Sequence, residues 1–149
     1  MRYIQPELYR KILEAMPIAC VDVAIVSSGK VLLVKRRDEP AKGQWWLPGG
    51  RVLKGETMRN AALRKAREEV GIKCKAGPII HTAETIFQDG PGGTAVHSIN
   101  SCFLLYPERD MPDISLDSHQ ECFRWTAVID KCYHTYVKDC LISSGLSHE

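Results

Sequence analysis

The chain has 149 residues, 44% hydrophobic and 26% charged, which is the size and composition of one globular domain (residues 1–149) with a substantial core. A formal net charge of +2 is too small to provide the field of a nucleic-acid-binding surface, and the apolar runs are far too short to span a bilayer. Cys20, Cys74, Cys102, Cys122, Cys132 and Cys140 form no CxxC pair. This argues against zinc and against a disulfide framework, and for free, mostly buried thiols that belong to the core. Residues 1–10 are polar and charged with no hydrophobic signal segment, so a cytoplasmic location is expected.

In chain order, residues 6–15 carry Leu8, Ile12 and Leu13 at helical spacing, with Pro6 in the first turn. They predict a short helix, within an N-terminal extension of residues 1–17, that packs on the domain or on a second copy. Residues 18–26 are apolar except for Asp22, as expected of a strand buried on both faces. A turn at residues 27–30 leads into a second strand over 31–34, completing a hairpin. A short extended piece at 45–47 precedes Gly49-Gly50. After a central helix, strands over 79–87 and 99–106 flank a glycine-rich tip at 89–93, which lacks the helix and Lys-Ser/Thr of a phosphate loop. A strand over 122–127 and a closing helix over 133–142 complete one mixed α/β domain. Of Trp45 and Trp46, one is expected in the core; His81 and His97 are expected to be structural.

The central stretch, residues 50–72, holds the chemistry. On a helical wheel of about 100° per residue, Met58, Ala61, Ala62, Leu63, Ala66 and Val70 of a helix over 56–70 share one arc. Glu69 falls inside that arc, with Glu68 on its flank. A carboxylate turned toward a core must be paired, protonated or bound to metal. A hard cation such as Mg²⁺ relieves the repulsion between neighbouring carboxylates and brings phosphates with it. The alternative is a solvated pair held by Arg64–Glu68 and Lys65–Glu69 contacts at i,i+4.

The same stretch resembles the Nudix box, G-x5-E-x7-R-E-U-x-E-E-x-G-U, with U a bulky aliphatic residue. Gly50, Glu56, Arg64, Glu68, Glu69, Gly71 and Ile72 match in register, whereas Lys65 replaces a glutamate and Ala66 the aliphatic. The resemblance implies the Nudix fold, an α/β (α+β) mixed sheet sandwiched between helices. It also implies Mg²⁺, with Mn²⁺ a possible substitute, bound by Glu68, Glu69 and the Gly49 carbonyl. Gly50, Glu56 and Arg64 would support the site. Within the family the chain is most similar to the GDP-mannose mannosyl hydrolases, through residues 35–36, 40–45, 47–52 and 123–125 and through Asp22.

That resemblance implies a nucleotide-sugar substrate, attack of water on the anomeric carbon and release of a nucleoside diphosphate. Arg36 and Arg51 would neutralise phosphate, and Asp22 would bind substrate. The subgroup places a Gln-His pair before its last strand, glutamine on the metal and histidine as base. This chain has His119-Gln120, the reverse order, so a loop shift would be needed to exchange the roles, and Glu121 is a further candidate. The competing readings are a pyrophosphohydrolase of nucleoside triphosphates or ADP-ribose, and a Nudix-fold binding module without catalysis. The expected partner is a small nucleotide substrate, with a homodimer possible and neither nucleic acid nor membrane bound.

Overall fold

The computed structural model describes residues 3–148; residues 1 and 2 of the expected extension lie outside them. Helix α1 (Pro6–Ala15) buries Leu13 and leaves Leu8 exposed. Strands β1 (Ile18–Ser27) and β2 (Lys30–Arg36) form the expected hairpin. Its turn residues Ser28 and Gly29 both have positive φ, the conformation whose twist matches paired strands. Short β3 (Trp45–Trp46) and β4 (Gly49–Arg51) lead into helix α2 (Met58–Val70). Strands β5 (Cys74–Phe87) and β6 (Val96–Pro107) flank a 3₁₀ turn at Pro91–Gly93; β7 (Gln120–Thr126), β8 (Val128–Ile129), helix α3 (Thr135–Ser143) and β9 (Ser147–His148) follow.

The main sheet is mixed, ordered β3-β2-β1-β6-β5, with β4 paired to β1 and β7 to β2. Strand β1 is parallel to β6, while its other edge meets β4 at Cys20–Asp22 and β2 at Val26–Ser27. Alternation along β1 builds two cores. Val21, Val23 and Ile25 pack against Ala61, Ala62, Ala66 and Val70 of α2. Ala24, with Leu33 and Trp46, packs against Tyr136, Val137, Cys140 and Leu141 of α3. The sheet is thus sandwiched between helices, as the apolar run in β1 requires.

Several expected boundaries shift. Glu56 precedes α2, because Thr57 caps it by accepting from Asn60 N at 3.1 Å. Met58 is 40% exposed, so the buried arc begins at Ala61. Strand β5 starts five residues earlier than its pattern suggests, running through Gly77-Pro78 with register shifts on either side of Ile79. An edge strand tolerates the missing proline N–H. All six cysteines are free, but only Cys102 and Cys140 are buried, and Cys122 and Cys132 are exposed, so the expectation of mostly buried thiols does not hold. Trp46 is the core tryptophan; Trp45 is half-buried and carries the Arg124 guanidinium 3.8 Å from its ring centroid. No described helix is long and apolar enough to cross a membrane.

Candidate active site

The last turn of α2 fixes the centre of the site. Gly71 caps the helix in the left-handed conformation (φ 70°), which stops α2 directly after Glu69 and Val70. Glu69 is only 4% exposed, as the wheel predicts. Its carboxylate accepts from Gln120 Nε2 at 2.7 Å and pairs with Lys65 Nζ at 3.0 Å. Burial pushes the Glu69 carboxyl above the usual range; the Lys65 charge and a Gly49 backbone hydrogen bond pull it back. Glu68 Oε2 lies 3.6 Å from the same ammonium and 3.1 Å from Arg64 Nη1. Both i,i+4 pairs therefore form, and the two carboxylates converge on Lys65.

Glu56 and Arg64 lock the glycine loop to the helix. Arg64 donates to both Glu56 oxygens at 2.7 and 2.9 Å and to the Arg51 carbonyl at 3.0 Å, while Leu53 N donates to Glu56 at 3.1 Å. The Arg64 hydrogen bonds hold the Glu56 carboxyl below its usual range. Gly49 lies opposite Asp22 in the β1–β4 pairing, and any Cβ there would collide with Asp22 Oδ1 and the Val21 carbonyl.

Asp22 is 6% exposed and accepts a hydrogen bond from Tyr136 OH at 2.7 Å. Burial raises its carboxyl to about 7, against the lowering effect of the Tyr136 bond, and the charge of Glu69 raises it further. Asp22 lines a cavity of about 220 Å³ with Trp46, Phe87, Ser98 and Asn100. A wider mouth of about 730 Å³ is lined by Lys65, Glu69, His119, Gln120 and the glycine tip. Tyr9, Arg36, Gly49 and Gly50 line both spaces. Arg51 lines the inner cavity with its guanidinium 5.6 Å from the Tyr9 ring centroid. Arg36 Nε donates to the Pro40 carbonyl at 2.6 Å.

The His119-Gln120 pair separates. Gln120 is 3% exposed and reaches Glu69, whereas the His119 imidazole is 68% exposed and bonds Asp38 at 2.7 Å. The β2–β7 register shifts here, with Arg36 opposite Gln120 and Lys35 opposite Cys122, so Glu121 is the extra residue. This bulge lies directly after the pair and leaves Gln120, not His119, on the side of Glu69. Gln120 Oε1 is buried without a partner.

Among the described residues, no three His, Cys, Asp or Glu side chains are grouped to hold a metal. The donors present are oxygen atoms of Glu68 and Glu69 and the unpartnered Oε1 of Gln120, donor chemistry of the kind that suits a hard cation. Tyr9, Asp38 and Tyr136 have no counterpart among the residues expected from sequence. Tyr9 and Tyr136 sit on helices with ordinary packing patterns and Asp38 in the bend after β2, and none carries a local signal.

A NUDIX domain model matches residues 16–131. The chain belongs to the Nudix family. It is 36% identical over 111 residues to the low-salt glycan biosynthesis protein Agl8 of Haloferax volcanii, covering 72% of this chain and 70% of that one. An ADP-ribose pyrophosphatase of Methanocaldococcus jannaschii is 36% identical over 89 residues, 60% of this chain and half of its own length. A crystal structure of a MutT Nudix hydrolase from Burkholderia pseudomallei superposes with a TM-score of 0.67 at 26% identity, covering 86% and 98% of the two chains. The chain is thus a Nudix hydrolase acting on nucleoside diphosphate derivatives, in a family that generally uses divalent metal ions. Its departures from the Nudix box have visible places: Ala66 is fully buried against the sheet, and Lys65 faces the acidic pair.

Proposed function

We propose that this Nudix hydrolase cleaves a nucleoside diphosphate sugar, of the GDP-mannose kind, to free sugar and nucleoside diphosphate. The observation that carries the reading is Gln120, a buried amide on Glu69 with an unpartnered oxygen, the kind of donor that the resembled subgroup sets on its metal from the neighbouring position of the pair. Glu69, Gln120, Glu68 and the Gly49 carbonyl would hold one Mg²⁺, or Mn²⁺ in its place. When bound, the ion supplies neutralisation of the diphosphate leaving group. Arg36 and Arg51 bind phosphate oxygens, for which a forked guanidinium is well shaped. Asp22 binds sugar hydroxyls from the floor of the inner cavity. His119, oriented by Asp38, takes the proton from the attacking water. The name of the Haloferax relative, a glycan biosynthesis protein, supports a sugar substrate. A cytoplasmic location and a homodimer, formed through the exposed face of α1 around Leu8, complete the reading.

The methanogen relative favours a second reading, pyrophosphohydrolysis of ADP-ribose or a nucleoside triphosphate. Hydrolysis of GDP-mannose in oxygen-18 water separates the two: label in the sugar means attack on carbon, label in a phosphate product means attack on phosphorus. Glu69→Gln should reduce Mg²⁺-dependent turnover by about three orders of magnitude with an unchanged circular dichroism spectrum. Full activity in that variant would overturn the metal assignment.

A further inference from the structure

We propose that Asn100 is a specificity residue: its Oδ1, held in one orientation by its neighbours, accepts a hydroxyl of the sugar in the inner cavity. This deepens the proposed function and rests on it, since it takes the inner cavity as the sugar site.

Strand β6 carries the departure. Positions 96, 98, 100, 102 and 104 share one face of the strand and read Val, Ser, Asn, Cys and Leu. Cys102 and Leu104 belong to the core beneath α3, as a buried face requires. Ser98 and Asn100 are polar, yet only 7% and 5% exposed, and both line the inner cavity. Thr85, directly across from Ser98 on β5, is a further buried polar residue on that wall. Burying such side chains costs stability unless each is bonded, and an apolar residue at 98 or 100 would continue the core without that cost.

The bonds made here fix the Asn100 amide. Its Nδ2 donates to Thr85 Oγ1 at 3.1 Å, to the Ala83 carbonyl at 3.2 Å and to the Ser98 carbonyl at 3.4 Å. Carbonyl oxygens only accept, so the amide nitrogen faces them and Oδ1 faces the other way. Among the described residues none donates to Oδ1, and unlike Gln120 Oε1 it is not sealed off from the cavity. Thr85 and Ser98 share a hydrogen bond of 3.0 Å, which uses one of their two hydroxyl hydrogens. The wall therefore offers a fixed acceptor and one free O–H donor.

Asp22 adds a second acceptor nearby. In the β1–β6 register Cys20 pairs with Asn100 and Asp22 with Cys102, and the Asp22 carboxylate lines the same cavity. Two acceptors on one wall suit a ligand that donates through adjacent hydroxyls. Trp46 and Phe87, whose ring centroids lie 5.8 Å apart, give the cavity an apolar side. A pyranose has C–H faces and a rim of hydroxyls, which matches both sides. The ligand class is thus a hexose with free ring hydroxyls.

The parent substrate for the test is whichever of GDP-mannose, GDP-glucose, ADP-glucose and UDP-glucose gives the highest kcat/KM. Wild type and Asn100→Ala are assayed on that parent and on its analogues lacking one sugar hydroxyl at a time. Wild type should lose roughly 10- to 100-fold in kcat/KM on at least one analogue, because Oδ1 is left without a donor. Asn100→Ala should lower kcat/KM on the parent and discriminate against that analogue by only about 3-fold or less. An asparagine that merely braces β5 against β6 would change parent and analogue rates alike. Equal wild-type rates on all analogues, or undiminished discrimination in Asn100→Ala, would overturn the inference and leave the sugar reading standing. If Asn100→Ala does not fold, Thr85→Val decides in its place: it keeps the volume but frees the amide to turn, and the same narrowing of discrimination should appear. Undiminished discrimination there overturns the inference equally. No turnover of any parent removes the sugar reading, and this inference with it.

Discussion

Adjacent glycines in this site are required for different reasons. Gly49 abuts the Val21 backbone and the buried Asp22 carboxylate, neither of which can move away, whereas Gly50 abuts the flexible end of Lys65. Gly49→Ala should therefore cost about 3 kcal/mol of stability, and Gly50→Ala about 1 kcal/mol or less. Urea unfolding of both variants measures the difference; equal costs would mean that the β1–β4 pairing has more slack than it shows. Glu69 illustrates what one residue's position reveals. Its place in the apolar arc foretold its burial, because helical periodicity is local. Its partner Gln120 lies 51 residues away, and nothing in the periodicity of either segment links them.

Among the elements, α2 and α3 are stopped and started by chemistry that responds to different conditions. The cap of α2 is a hydroxyl, Thr57, indifferent to pH near neutrality. Helix α3 is capped by His134, whose Nδ1 accepts from Tyr136 N at 3.0 Å and which burial holds below the ordinary histidine pKa. Only the neutral ring can accept this bond. A base with a depressed folded pKa contributes stability that is present above its unfolded value, about 6.5, and lost as pH falls through the folded one. Lowering the pH from about 7.5 to about 5 should thus destabilise wild type more than His134→Asn, which keeps a capping acceptor that does not titrate. Parallel thermal-midpoint profiles for the two proteins would remove the cap from the explanation. Tyr136 lies in the first turn after that cap, so the start of α3 also positions the hydroxyl that holds Asp22.

At the scale of the whole molecule, the candidate site draws on both ends of the chain. Tyr9 of α1 lies outside the span matched by the family model, yet it lines both cavities and faces Arg51. Tyr9→Ala should raise KM roughly 5- to 10-fold through lost placement of Arg51, about 1 kcal/mol, with kcat little changed. Steady-state kinetics on the nucleotide sugar decides the point, and a fall in kcat alone would place Tyr9 elsewhere in the cycle. Closing the site from the other end, Tyr136→Phe should cost about 1–3 kcal/mol, since it leaves the buried Asp22 carboxylate without its hydroxyl donor. It should also raise the Asp22 carboxyl further, because the Tyr136 bond is the main influence lowering it.

The sequence by itself determined the helix that carries the acids, the glycine that ends it, the apolar strand beneath it, the burial of Glu69 and the family. These depend on near-neighbour spacing, dihedral preference and motif register, all of which are written along the chain. Only the tertiary structure decided that Gln120 rather than His119 reaches Glu69, because a single bulge at Glu121 sets which side chain of β7 points inward. It likewise decided that Lys65 stands between the two acids, where the open backbone at Gly50 leaves room for its ammonium, and that Tyr136 holds Asp22. The Gln120 and Tyr136 contacts join residues that are distant in sequence. Their geometry follows from strand register and helix docking, which local pattern does not encode.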